Sequence, residues 1–295
     1  MSEFFVPMNN DDQPIQPTAE NPNENHADLN LPRDQRLVSK NWSVRKGAFE
    51  ELMEELKTAI SSDACIDTLE IHAPLWPQYL TENVVATLEA ALECFKEFIS
   101  KCEPDFLSQI QVPILKPLIE KCLGHANEGI RNKSLNYTLL FFNNTENFEE
   151  ETMKAIGIYL GSKTLKLQTT AMTLVTRLLE VFGPRKIVPI RFKSQIEALM
   201  NHPKPAVKSE AALFYTALFL WVGEETTLVF AENLKTSVRD QLAKNFAAAS
   251  EERKDTQQDK GKAISATEMM QLKEVTVMEN EILAKFNPDW IALLK

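Results

Sequence analysis

The chain has 295 residues, of which 44% are hydrophobic and 25% charged, with a formal net charge of −10. That is ordinary globular composition, long enough for one large domain or two small ones, and its acidic balance disfavours nucleic acid, which requires a basic surface. Only 8 glycines argue against an all-β fold built on tight turns. No phosphate-cradling GxxxxGK[ST], nucleophile elbow or distinctive carboxylate pair is present, so neither catalysis nor a cofactor is expected. The four cysteines, Cys65, Cys94, Cys102 and Cys122, form no CxxC pair, and the 4 histidines lack ligand spacing, which disfavours a metal site. With no apolar leader and nothing of transmembrane length, the expectation is a cytoplasmic protein with free thiols and no membrane partner.

In chain order, residues 1–30 are rich in Asn, Asp, Glu and Pro and are expected to be a disordered tail, because they bury too little to offset their ordering entropy. Leu31 to Leu56 reads as a short helix, a break, and an amphipathic helix with Val44, Ala48, Leu52 and Leu56 at helical spacing. Trp42 stands at the break, with Asn41 or Ser43 as possible caps and Arg45 and Lys46 beside it. It is either the apolar anchor of a binding edge or a hydrophobic staple folded onto its own helix.

Ile66 to Tyr79 reads as an irregular connection because of Pro74 and Pro77, and Asn83 to Ser100 as the next amphipathic helix. Further pairs follow: Val112 to Leu123 with Ser134 to Phe142, Glu150 to Leu160 with Leu167 to Phe182, and Ile187 to Met200 with Ser209 to Val222. A last unit starts at Thr226. Pro113 and Pro117 are expected in first turns. The period of roughly 40 residues is that of HEAT and armadillo arrays, in which each hairpin buries its apolar face only against its neighbours. The expected fold is therefore all-α, a HEAT-repeat solenoid of about six helical hairpins.

In such a solenoid the loops within hairpins line up along one edge. The first break offers Trp42, Arg45 and Lys46, and the second, Thr81 to Asn83, is nearly neutral. The third offers Arg131 and Lys133, the fourth Lys163 and Lys166, and the fifth Lys204 and Lys208. A basic ridge in an acidic chain predicts an acidic protein partner met along a flat edge. A peptide or protein subunit held in the concave groove is the alternative, as in generic HEAT and armadillo scaffolds.

The segments LPRDQRLVSKNWSVRKGAFEEL, ENVVATLEAALECFKEF, GSKTLKLQTTAMTLVTRLLEVFG and HPKPAVKSEAALFYTALFLWVGE carry a resemblance. Together they resemble a TOG domain, the HEAT paddle of the microtubule polymerase family that includes ch-TOG, Minispindles and the fungal Stu and Dis proteins. Trp42, EVFG and the late WVG, in that order, are its most specific features. The resemblance spans roughly residues 31–249 and is greatest to the first TOG of an array. It implies a non-enzymatic module whose aligned loops grip αβ-tubulin, preferring the free curved dimer and acting at microtubule plus ends, the spindle and spindle poles or centrosomes. Trp42 would anchor the first loop, flanked by Arg45 and Lys46. Asn83 would serve the second loop, Arg131 and Lys133 the third, Lys163 and Lys166 the fourth, and Lys204 and Lys208 the fifth. The chain departs from the pattern in having Lys208 where many members carry Arg, Glu128 among the bases of the third loop, and Pro203 and Pro205 around Lys204. Residues 250–264 read as a polar linker. Residues 265–295 read as an amphipathic segment that either packs back on the solenoid or leads into a further TOG module, whose entry AKFNPDWIALLK resembles.

Overall fold

The computed structural model describes residues 28–58, 63–145 and 150–255, which form six helical hairpins in two layers, with no strand among them. The first layer holds α1 (Arg33–Arg36), α3 (Asp63–His72) running on into α4 (Trp76–Tyr79), α6 (Pro104–Pro117), α8 (Glu150–Leu160) and α10 (Lys193–Met200). The second holds α2 (Trp42–Thr58), α5 (Val85–Lys101), α7 (Glu128–Asn144), α9 (Leu165–Ile187), α11 (Pro205–Phe230, broken at Gly223 so that residues 224–230 turn back as the first helix of the sixth hairpin) and α12 (Thr236–Asp255). Within the second layer α2 packs on α5, α5 on α7, α9 on α11 and α11 on α12. In the first, α4 packs on α6 and α6 on α8. No hairpin closes its own core, as expected of stacked repeats.

Between the layers runs one continuous core. At its N-terminal end Trp76 is fully buried, with ring centroids 4.9 Å from Phe95 and 5.2 Å from Phe98, and Phe95 lies 6.0 Å from Phe141. At the far end Phe219 stacks on Phe246 at 4.7 Å, which fixes the last helix to the solenoid. Burial pushes the Cys102 and Cys122 thiols up to about 12, so both are neutral packing groups, and no cluster of three metal-ligating side chains occurs among the described residues.

Several local expectations are corrected. Residues 66–79 are helical: Pro74 and Pro77 sit in the first turns of successive short helical segments, where a missing N–H costs nothing. Pro113 and Pro117 lie inside and at the end of α6 rather than in a first turn. The carbonyls they deprive belong to Gln109 and Pro113, both exposed, so water can satisfy them, and the chain then widens into a π-helical turn at Leu118–Leu123. The third break is short, because α7 starts at Glu128. The helix α12 runs to Asp255, beyond the expected linker start at residue 250. Residues 1–27 and 256–295, including most of that linker and the amphipathic segment, lie outside the described residues.

The EVFG and WVG runs have a structural reason. Gly183 (φ 74°, ψ 173°) and Gly223 (φ 81°, ψ 175°) end the second helices of the fourth and fifth hairpins, and the chain passes directly into the next hairpin. That backbone region is essentially restricted to glycine. Joining two helices end to end makes α11 long and apolar enough to cross a membrane by length and composition, against the expectation that nothing reaches that length. It is broken at Gly223, and Phe214, Tyr215 and Leu218 are buried in the solenoid core.

Candidate functional site

The loops that join the two helices of the first five hairpins, residues 37–41, 80–84, 124–127, 161–164 and 201–204, fall along one edge, because each second helix starts there, whereas the shorter sixth hairpin turns at residues 231–235 beside the start of α10, where Glu232 pairs with Lys193 at 2.9 Å. Contacts lace the first four together. The Trp42 carbonyl accepts a hydrogen bond from Thr87 Oγ1 at 3.1 Å. Arg45 Nε donates to Glu82 Oε2 at 2.6 Å, joining loop 1 to loop 2. Lys121 Nζ donates to Asn83 Oδ1 at 3.1 Å, joining loop 2 to the third hairpin, and Lys166 lies across loop 3 with its Cε over Gly124.

Loops 1 and 3 are built on one local device. Asn41 Oδ1 accepts from the backbone N–H of Ser43 at 3.0 Å, and Asn127 Oδ1 accepts from that of Ile130 at 3.3 Å, capping α2 and α7. Four residues after each cap an arginine folds back over its loop. Arg45 Nη1 donates to the carbonyls of Ser39 and Lys40 at 2.6 and 2.9 Å, and Arg131 Nη1 to those of His125 and Ala126 at 2.9 and 2.7 Å. The pattern N-x-x-[VI]-R, with Val44 and Ile130 buried beneath, is visible in the sequence at both places. Charge alone does not single it out, because an arginine that folds back over its loop and one that faces solvent look the same in composition. Burial works to raise the Glu82 carboxyl, but hydrogen bonds from Arg45 and from the Val84 and Asn83 N–H groups outweigh it and hold it below the usual range.

The remaining candidates divide in two. Lys133 pairs with Glu93 at 2.9 Å and Lys46 with Glu50 at 2.9 Å, so both charges are met within the domain. Lys163, Lys166, Lys204 and Lys208 are exposed, and none forms an ion pair among the described residues. Lys208 occupies the same helix position as Arg45 and Arg131 yet points no charge into its loop. Trp42 is 38% exposed, so the indole neither stands free nor is consumed as a staple. Val38 in loop 1, 54% exposed, and Val85 at the start of α5, 39% exposed, add apolar surface at the same end of the edge. There a cavity of about 250 Å³ opens between loops 1 and 2, lined by Val38, Phe49, Tyr79 and the Arg45–Glu82 pair. The edge therefore has an apolar end and a basic end.

Residues 28–246 match the model of the XMAP215/Dis1/CLASP TOG domain. The chain belongs to the TOG-domain family. Among its relatives is the spindle pole body component alp14 of Schizosaccharomyces pombe, 25% identical over 218 residues, 74% of this chain and 27% of that protein. Phosphoprotein p93 of the same yeast is 28% identical over 208 residues, 70% of this chain and 23% of that protein. The TOG domain thus spans about a quarter of each relative's length. A solved structure of a TOG-array microtubule polymerase, described under tubulin recruitment and assembly, has the same fold. It superposes with a TM-score of 0.63 at 18% identity, covering 77% of this chain and 51% of that one.

Proposed function

We propose that this TOG domain binds αβ-tubulin along its loop edge and thereby supports microtubule polymerisation. The observation that carries the reading is the edge itself, with a half-exposed Trp42 at one end and, at the other, the exposed lysines of loops 4 and 5, which form no ion pair among the described residues. Trp42, with Val38 and Val85, supplies apolar contact. Lys163, Lys166, Lys204 and Lys208 meet an acidic partner and set its direction. Asn83 lies exposed between the two ends. Arg45 and Arg131 hold loops 1 and 3 in shape, while Lys46 and Lys133 contribute through their long stems and the field of the edge.

The occupant is the free, curved dimer, delivered at microtubule ends, and further TOG modules of the same protein would cooperate by raising its effective concentration. The work done is binding, without bond chemistry. The membership of a spindle pole body component among the relatives supports a site of action on the spindle. Size-exclusion chromatography of the chain with purified αβ-tubulin at low and moderate salt tests this: a complex is expected that weakens as salt rises. Co-elution at neither salt would refute the reading.

A further inference from the structure

The first described residue sits on the candidate site. Ser39 Oγ, in loop 1, donates to Asp28 Oδ2 at 2.5 Å, which holds Asp28 at the loop edge rather than at the back of the solenoid. That preceding segment, residues 1–27, contains Glu3, Asp11, Asp12, Glu20 and Glu24 and no lysine or arginine, and so carries half of the net charge of −10. Across the edge, loops 4 and 5 present Lys163, Lys166, Lys204 and Lys208, exposed and without ion pairs among the described residues.

Reach permits the two to meet. Helices of neighbouring repeats pack about 8–10 Å apart, so loop 5 lies roughly 32–40 Å from loop 1. Asp11 and Asp12 are separated from Asp28 by a chain that spans up to about 55 Å when extended. Because the segment is tethered, its effective concentration at the edge is on the order of millimolar, and weak individual charge pairs suffice for substantial occupancy.

We infer that the acidic segment 1–27 docks along the basic half of its own loop edge, its carboxylates on Lys163, Lys166, Lys204 and Lys208, and so competes with an acidic partner for those lysines. The consequence for tubulin rests on the function proposed above; the docking itself does not. The segment acts as an intrachain competitor, strongest at low ionic strength, and lowers the affinity of the edge without altering the fold. A second basic stretch, with Arg185, Lys186 and Arg191, lies at the turn between the fourth and fifth hairpins on the opposite edge, and Lys193 after it is already paired with Glu197 and Glu232. Tethering at loop 1 favours the loop edge over it.

Two measurements test this. In the first, the full chain alone is treated with a carbodiimide, which joins carboxylates to lysine amines already in contact, and the products are mapped by mass spectrometry. Cross-links from Asp11, Asp12 or Glu20 to Lys163 or Lys166, and from Asp11 or Asp12 to Lys204 or Lys208, are expected, and they should vanish at high salt. Cross-links to Lys186 or Lys193 instead, or none from the segment, would overturn the docking. In the second, tubulin affinity is compared for the full chain, a chain starting at Asp28, and a full-length variant with the five carboxylates changed to Gln or Asn. Both altered chains should bind about three- to tenfold tighter at low salt, with the gap closing as the Debye length shrinks. Equal affinities would overturn the competition. Absence of tubulin binding by all three chains would refute the proposed function and leave the docking supported or refuted by its cross-links.

Discussion

Replacing Trp42 by alanine separates its two faces. A Trp side chain offers up to about 250 Å², so its 38% exposure leaves roughly 95 Å² of indole for a partner. At about 25 cal/mol per Å², burying that face contributes about 2.4 kcal/mol, or roughly a 50-fold change in affinity. The rest of the indole already lies against the domain, so the same substitution also costs stability, by at most about 4 kcal/mol on the same coefficient. The expected outcome is a domain that still melts cooperatively, at a lower temperature, and binds tubulin roughly 50-fold more weakly. Phe49→Leu provides the control. Phe49 lies on the same helix, is fully buried, meets Tyr79 edge-on at 5.3 Å and reaches the edge only as part of the cavity wall between loops 1 and 2, so its loss costs stability while leaving the exposed face of Trp42 in place. Binding is measured by titration at a temperature where thermal melts show every variant folded. If Phe49→Leu weakens binding as much as Trp42→Ala, the effect runs through stability and the anchor role is refuted.

Three further outcomes are expected. Lys204→Glu with Lys208→Glu should weaken tubulin binding strongly, while the same reversal at Lys260 and Lys262, outside the described residues, should do little; equal losses would mean that net charge alone drives binding. Gly183→Ala should lower the melting temperature more than Gly223→Ala, since both pay for a positive φ, about 1–3 kcal/mol, but only at Gly183 does a Cβ meet a neighbour, the Trp221 ring at 3.1 Å. His72 is buried, its Nδ1 3.1 Å from the Tyr79 hydroxyl, and burial, followed by the field of Arg33, lowers its pKa below the ordinary 6.5. The unfolded chain then takes up the proton first, so stability should fall as pH drops below about 6.5, and His72→Gln should flatten that part of the pH–melting curve.

The helical periodicity showed most of this fold in advance, because stacked hairpins bury regular stripes and each second helix begins with a readable break. Proline misled in both directions. Pro74 and Pro77 looked like helix breakers and are first-turn residues of short helical segments, whereas Pro113 and Pro117 looked like initiators and sit where a solvent-facing carbonyl can lose its partner. Which proline does which depends on what faces the orphaned carbonyl, and that is a tertiary fact. The site was legible as an aligned set of loops but not in its division of labour, since the partners of Arg45, Arg131 and Lys133 include residues on other helices or loop carbonyls that composition does not single out.

That division follows from how fast each interaction decays with distance. An apolar contact loses a quarter to a half of its dispersion well over a gap of about 0.5–1 Å, so an indole is useful only on a loop of fixed shape. Charge attraction between exposed groups persists over about a Debye length, near 10 Å at 0.1 M, so a lysine serves from a range of positions. The edge is arranged accordingly. At the Trp42 end the arginine at the fourth helix position is turned inward onto loop carbonyls and Glu82, giving its charge to geometry. At the far end the same position holds Lys208, whose single ammonium cannot span two carbonyls and a carboxylate as a guanidinium does, and it stays exposed. Arginine is therefore placed where a loop must hold its shape, as in loops 1 and 3, and lysine where long-range attraction is enough. On this account the substitution of lysine for arginine in the fifth loop changes how the partner's far end is held more than whether it is attracted.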